Sequence, residues 1–288
     1  MTSTYHTGDP IWCAGCGHYG VQGALAHALN ELRIPVHETF ILAGIGCSGT
    51  VQNNLGTYGY HAMHGRVLPT AIGVALMNPS LTVIAAGGDG DGYAIGAGHL
   101  VHGFRRNPNV VYIVMNNGTY GLTKGQDSPT KEHTHEEIGE GELDAVSLGL
   151  SIFTTTFLAR GFTSRPAQLN GLMVQALEHT RSKRGLAFVE VLSPCVTYND
   201  TYPEWDARVE DVDALEDYDR SSRDTAMTTL MQLHRKGRIP IGLIYQGEAR
   251  TLEQIYLGDI NEPPALIKLA DGTRKRQVRE ILSDYGFK

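Results

Sequence analysis

Four stretches of the chain are apolar almost without interruption: Phe40–Ala43, Leu81–Ala86 (LTVIAA), Val110–Met115 (VVYIVM) and Leu186–Leu192 (LAFVEVL). A strand with one wet face alternates apolar and polar residues, so a run without alternation has to be covered on both faces. Helical stretches lie between these runs. His18–Arg33 carries Val21, Ala24, Leu25, Ala28, Leu29 and Leu32 at spacings of three and four, and Ile95–Arg106 and Gln168–Ser182 are also predicted helices. Buried strands separated by helices predict an α/β chain, with a mostly parallel sheet and helices on both faces. No internal repeat interrupts this pattern.

A length of 288 residues suits one large α/β domain or two ordinary ones. Near residue 203 the texture becomes more charged, with a predicted helix near 222–236 and a strand at Ile239–Tyr245. No clean linker marks the change, so we read residues 1–203 as the main domain and 204–288 as a C-terminal extension packed on it. The polar segment 123–144 is long for a connection, which suits a functional or mobile loop. Net charge is −7 and no block of basic residues occurs, which leaves no basis for a nucleic-acid partner. Neither a leader-like N-terminus nor an apolar run of membrane-spanning length is present, so we expect a cytoplasmic protein without a membrane partner.

Of the 34 glycines, 12 cluster at 44–49, 87–92, 96–98 and 117–125, where a backbone that approaches a ligand closely would need them. Gly88-Asp89-Gly90 leaves one predicted strand, and Asn116-Asn117 closes the next. In an open parallel sheet, ligands sit beyond the carboxyl ends of the strands, so Asp89 and Asn117 would face one point. A carboxylate, an amide oxygen and a backbone carbonyl are hard donors of the kind Mg²⁺ takes alongside phosphate oxygens. Gly88 and Gly90 would let backbone N–H groups reach those phosphates, at the start of a helix. The competing reading is a glycine turn and an Asn-Gly turn at this distance by chance. Other phosphate motifs fare worse. No G-x-x-x-x-G-K-[ST] occurs, and G-I-G-C-S-G (44–49) matches the dinucleotide fingerprint but is followed by no Asp or Glu through residue 88.

The GDG…NN pattern resembles that of thiamine-diphosphate enzymes. The resemblance implies Mg²⁺ held by the side chains of Asp89 and Asn117 and by the Thr119 carbonyl.

The cysteines are four: Cys13 and Cys16 in W-C-A-G-C-G, Cys47 in the glycine loop, and Cys195. A thioredoxin-like pair fits poorly, because this CxxC follows no strand. Structural zinc usually takes two close pairs, whereas here one pair is joined by two distant single residues. That spacing suits an iron–sulfur cluster inserted between loops. In chain order, W-C-A-G-C-G-H, G-I-G-C-S-G, H-G-R (64–66), GDG…NN, Y-G-L-T-K-G-Q (120–126) and P-C-V-T-Y-N (194–199) resemble the β subunit of a 2-oxoacid:ferredoxin oxidoreductase, most of all the 2-oxoglutarate branch. The similarity spans roughly residues 10–246.

The resemblance implies a diphosphate-binding domain of the thiamine-diphosphate fold at 1–203, with inserted loops whose Cys13, Cys16, Cys47 and Cys195 hold one [4Fe–4S] cluster. It implies cofactor contacts from Gly46, Ser48 and His64, from Gly88, Asp89, Gly90 and Asp91, and from Asn117, Thr119 and Leu122. The implied reaction is decarboxylation of 2-oxoglutarate, with electrons passing to ferredoxin and the acyl group to coenzyme A, or the reverse carboxylation. Pyruvate or another 2-oxoacid is the alternative substrate. The alternative enzyme is a non-redox thiamine decarboxylase whose four cysteines hold a structural zinc. His64 and Lys124 are the catalytic candidates, with Lys124 or Arg66 as the cation for a distal carboxylate. Thr50 stands where relatives often have lysine. The pyrimidine-binding domain is expected on a separate α subunit, which makes this chain half of an active site. His133-x-His135 is only a weak metal signal.

Overall fold

The apolar runs form the middle of one sheet. The computed structural model describes Tyr5, residues 10–132 and 141–258, and Pro264. His133 and His135 lie outside the described residues. The strands are β1 (Thr39–Ala43), β2 (Tyr58–His61), β3 (Thr82–Gly88), β4 (Val111–Asn116), β5 (Thr119–Tyr120), β6 (Gln126–Asp127), β7 (Phe157–Phe162), β8 (Ala187–Leu192), β9 (Val209–Asp211) and β10 (Ile239–Gln246). The helices are α1 (His18–Glu31), α2 (Val67–Met77), α3 (Ala97–Arg106), α4 (Ala145–Leu150), α5 (Pro166–Arg181), α6 (Tyr202–Arg208), α7 (Arg223–Arg235) and α8 (Leu252–Tyr256). Among the described residues, eight strands form one sheet in the order β2-β1-β3-β4-β8-β7-β10-β9, and β5 and β6 pair as a separate hairpin. From β2 to β7 every pairing is parallel, while β10 runs antiparallel to β7.

Both faces of the central strands are buried, as the lack of alternation requires. Val111, Ile113 and Met115 pack into the layer of α1 and α5, and Tyr112 and Val114 into the layer of α2, α3, α4 and α7. The residues after 203 join the same framework. β9 and β10 extend the sheet, and Ala226, Leu230 and Leu233 of α7 pack on it beside Ile244 and Tyr245.

The predicted helix at 95–106 is found as one helix, α3, that starts two residues later than expected. Residues Gly90–Ile95 take a wider π-helical turn, and α3 follows from Ala97. Among the elements without a clear sequence signal are α2, β2 and β7. α2 (VLPTAIGVALM) is apolar nearly all round, β2 (YGYH) is an exposed edge strand, and β7 (FLARGF) carries Arg160 in its middle. Among the described residues no helix is long and apolar enough to cross a membrane.

Candidate active site

β3 and β4 are neighbours in register, with Gly88 opposite Met115, so the loops that follow them open side by side. Asp89 and Asn117 leave these ends and are both buried. Asp89 Oδ2 accepts hydrogen bonds from the Gly118 N–H (3.0 Å), Ser128 Oγ (2.5 Å) and Thr130 Oγ1 (2.6 Å). Burial pushes the Asp89 carboxyl above its ordinary value, opposed by the bonds from Ser128 and Thr130. Asn117 Oδ1 accepts from the Thr119 N–H at 3.1 Å, so these two residues turn together. The β5–β6 hairpin lays Tyr120 over Gly90. Tyr120 donates to the Gly90 carbonyl at 3.3 Å, and a Cβ on Gly90 would stand 2.3 Å from the ring.

Asp91 gathers three loops. Its Oδ1 accepts from the Ile45 N–H (3.0 Å), the Gly65 N–H (2.9 Å) and His64 Nδ1 (2.8 Å). Its Oδ2 is buried without a hydrogen-bond partner, and a Cβ on Gly44 would lie 2.1 Å from it. Asp91 therefore holds the G-I-G-C-S-G and H-G-R loops together, which leaves His64 41% exposed with Nε2 as its open ring nitrogen.

All ten residues named above as cofactor contacts line one cavity of about 190 Å³: Gly46, Ser48, His64, Gly88, Asp89, Gly90, Asp91, Asn117, Thr119 and Leu122. Cys47, His18, Tyr120 and Gly121 line it too. Lys124 is exposed at the hairpin tip, with φ 78°, next to the lining residue Thr123. Arg66 turns away, donating to the carbonyls of Gly65 and Ile95.

The cysteine loops converge beside this cavity. All four cysteines are free thiols. A Cβ on Gly121 would lie 3.6 Å from Cys47 Sγ and 3.7 Å from Cys195 Sγ, so both sulfurs face the same bare stretch of backbone. Burial pushes the Cys16 thiol up to about 11, with repulsion from Cys195, Cys47 and Cys13 adding to the rise. Burial also raises Cys47, again with Cys195 and Cys13 contributing. Four thiols that repel one another share a neighbourhood. Yet among the described residues no three His, Cys, Asp or Glu side chains are grouped to hold a single metal ion.

The loops are braced by residues beside the cysteines. The Trp12 indole donates to the Cys47 carbonyl at 2.7 Å, and Thr50 Oγ1 donates to the same oxygen at 2.9 Å. A Cβ on Gly17 would stand 2.5 Å from the Ser193 backbone, so the CxxC loop lies flush on the segment leading to Cys195. Asn199 Nδ2 donates to the Asn117 carbonyl at 2.9 Å, tying the Cys195 segment to the strand end that carries Asn117. His18 is buried against Trp12, with Nδ1 3.2 Å from Ser193 Oγ, and burial lowers it to about 4. Its place two residues after the CxxC is the one sequence signal that marks it. Ser128 and Thr130 belong to a polar loop with no signal.

Comparison with known proteins finds two families along the chain. Residues 44–191 match the family described as thiamine pyrophosphate enzyme, C-terminal TPP binding domain, and residues 195–258 match the family for the C terminal of the pyruvate ferredoxin oxidoreductase beta subunit. The chain is 38% identical to the 2-oxoacid:ferredoxin oxidoreductase subunit beta of Saccharolobus solfataricus, over 95% of both chains. It is 37% identical to the 2-oxoglutarate synthase subunit KorB of Methanocaldococcus jannaschii, over 65% of this chain and 70% of that one. Among solved structures, the 2-oxoglutarate:ferredoxin oxidoreductase from Magnetococcus marinus, with 2-oxoglutarate, coenzyme A and succinyl-CoA bound, superposes with a TM-score of 0.82. It shares 35% identity and the match covers 95% of this chain and 94% of that one.

Proposed function

Since this chain belongs to the β subunits of the 2-oxoacid:ferredoxin oxidoreductases, we propose that it is the half of a 2-oxoglutarate:ferredoxin oxidoreductase that holds Mg²⁺–thiamine diphosphate and one [4Fe–4S] cluster. One observation carries this reading. Cys47 lines the same cavity as Asp89, Asn117 and Thr119, so one sulfur donor and the hard oxygen donors share a wall.

The residues present fit both groups. Asp89 has one oxygen held by three donors, which fixes its carboxylate, and its other oxygen would be the one offered to a cation. Asn117 and Thr119 add the neutral oxygens that Mg²⁺ accepts. Gly88 and Gly90 leave backbone where a diphosphate would approach. For the thiols, zinc would need four sulfurs around one ion at about 2.3 Å. Cys47 and Cys195 face the same bare backbone and Cys16 feels the other three cysteines, and four thiolates are the ligand set of a [4Fe–4S] cluster. When bound, thiamine diphosphate supplies the carbanion chemistry that releases CO₂ from a 2-oxoacid, and the cluster supplies one-electron acceptance.

The chain's own residues orient and exclude. Asp91 presents His64, whose Nε2 is the atom available to hold a proton at the substrate. The Tyr120 ring and Leu122 cover the diphosphate side of the cavity. The names of the relatives and the ligands of the solved neighbour support 2-oxoglutarate as substrate, coenzyme A as acyl acceptor and ferredoxin as electron partner. The lining includes no lysine or arginine among the described residues, so the distal carboxylate falls to Lys124 at the rim or to the α subunit. The α subunit also completes the aminopyrimidine side.

The test is anaerobic purification of the complex with its α subunit, followed by metal analysis and ferredoxin reduction with 2-oxoglutarate or pyruvate and coenzyme A. About four irons per β chain and faster turnover of 2-oxoglutarate are expected. Zinc in place of iron, or no thiamine-dependent ferredoxin reduction, would overturn the reading. Lys124→Ala is expected to raise KM for 2-oxoglutarate about tenfold, the order of one lost charge-assisted hydrogen bond, and to leave KM for pyruvate unchanged.

A further inference from the structure

Glu190 stands in the middle of β8, 1% exposed, with parallel strands on either side. A carboxylate there is costly unless it is paired and hydrogen-bonded. Both of its oxygens are taken. Arg160, opposite it on β7, donates from Nε to Oε2 at 2.5 Å and from Nη2 to Asp144 at 2.7 Å. Oε1 accepts from the Tyr93 hydroxyl at 2.8 Å and from Asn116 Nδ2 at 3.3 Å.

Two of those contacts lead to the candidate metal site. Tyr93 sits in the π-helical turn that begins at Gly90. Asn116 directly precedes Asn117. With its amide nitrogen held by Glu190, Asn116 turns its oxygen the other way. That oxygen accepts from the Gly118 N–H at 3.2 Å and lies 2.8 Å from Thr130 Oγ1. The same two groups reach Asp89 Oδ2, at 3.0 and 2.6 Å. The buried carboxylate is thus linked to Asp89 through one amide whose orientation it sets, and to the glycine turn through one phenol.

We propose that Glu190 is a positioning residue for the metal–diphosphate site, fixing the Asn116 amide and the Tyr93 turn so that Asp89 and Asn117 stand ready for the cation. The inference rests on the reading of this cavity as the Mg²⁺–thiamine diphosphate site. A buried ion pair kept only for stability can be exchanged for apolar residues of similar volume with little loss. One that positions a neighbour cannot, because the acceptor for Tyr93 and Asn116 disappears with it.

The experiment uses the complex with its α subunit and follows thiamine diphosphate binding by calorimetry across a Mg²⁺ series, with melting temperature measured in parallel. Glu190→Gln leaves one acceptor oxygen for both Arg160 and the Tyr93–Asn116 pair, and is expected to raise the Mg²⁺ concentration for half-maximal binding by about 10–100-fold, the usual effect of disturbing a group that orients a metal ligand. Tyr93→Phe removes one of the two links, keeps the ion pair, and is expected to give a smaller shift in the same direction. The double variant Arg160→Met with Glu190→Leu removes both buried charges but restores no acceptor for Tyr93 and Asn116, and is expected to keep the weakened Mg²⁺ dependence. Recovery of wild-type Mg²⁺ dependence in the double variant, or none of the three variants shifting it, would overturn the positioning role. A wild-type complex without Mg²⁺-dependent thiamine diphosphate binding would instead overturn the reading of the cavity beneath it.

Discussion

Gly90 and Gly44 both lack room for a methyl group, but for different reasons. At Gly90 the obstacle is the edge of the Tyr120 ring, 2.3 Å from the ideal Cβ; at Gly44 it is the Asp91 carboxylate, 2.1 Å away. A ring on a short hairpin can be removed, whereas Asp91 holds Ile45, His64 and Gly65 with its other oxygen. Gly90→Ala is therefore expected to cost about 1–3 kcal/mol, the range for a methyl forced into filled space. Adding Tyr120→Ala should recover most of that stability. Gly44→Ala with Asp91→Ala should recover none, because relieving the clash releases the two loops. Melting temperatures of the four variants check this, and equal rescue at both positions would show that the Asp91 contacts contribute nothing.

At the scale of elements, loops on separate strands have to be locked to one another before any site exists. Trp12 makes such a lock, reaching from the CxxC loop to the Cys47 carbonyl. Trp12→Phe keeps an aromatic ring and removes the donor, a loss of about 1 kcal/mol, so iron of the proposed cluster should be released to a chelator about fivefold faster at unchanged secondary structure. Loss of absorbance near 400 nm against time checks it, and an unchanged rate would assign Trp12 to packing alone. The same scale separates what could be read in the sequence from what could not. β3, β4 and β8 were legible because burial on both faces leaves an unbroken apolar run, and the residues at their ends followed from strand order. α2 hid behind apolar residues on all sides, and β2 behind a solvent-facing edge. Ser128 and Thr130 were invisible for another reason: they act through hydrogen bonds to Asp89 and Asn116, distant in the chain, and such contacts leave no periodic trace. Glu190 interrupted LAFVEVL with a charge, yet its partners on β4, β7 and the Gly90 turn are set only by the sheet order.

The whole molecule places two buried imidazoles at opposite ends of its sheet, and its stability should report both. His18 lies by the carboxyl ends of the strands against Ser193, and His179 lies at the other end, with Nε2 3.1 Å from Thr156 Oγ1. Burial lowers His18 to about 4 and His179 to about 3, the latter with help from the Arg184 charge. An unfolded histidine takes up its proton near pH 6.5, so below that value the unfolded chain binds protons the folded chain refuses. The stability each neutral imidazole confers is complete above about pH 6.5 and falls away as the pH drops toward 4. Burial raises Asp89 and Glu253, which act in the opposite sense, because they favour the folded state at low pH and lose that effect as the pH rises. A bare pH profile mixes the two. The difference between the wild type and His179→Gln separates them, since the carboxylates are common to both. Glutamine can keep a bond to Thr156 but has no proton to refuse, so the variant should be the less stable at pH 7.5 and the gap should close by ~2 kcal/mol on descending to pH 5. Denaturant unfolding of the apo chain at both pH values measures it. A gap that stays constant would mean that His179 titrates in the folded protein as it does in water, and that Phe157, whose ring stands 5.2 Å from it, does not shield it.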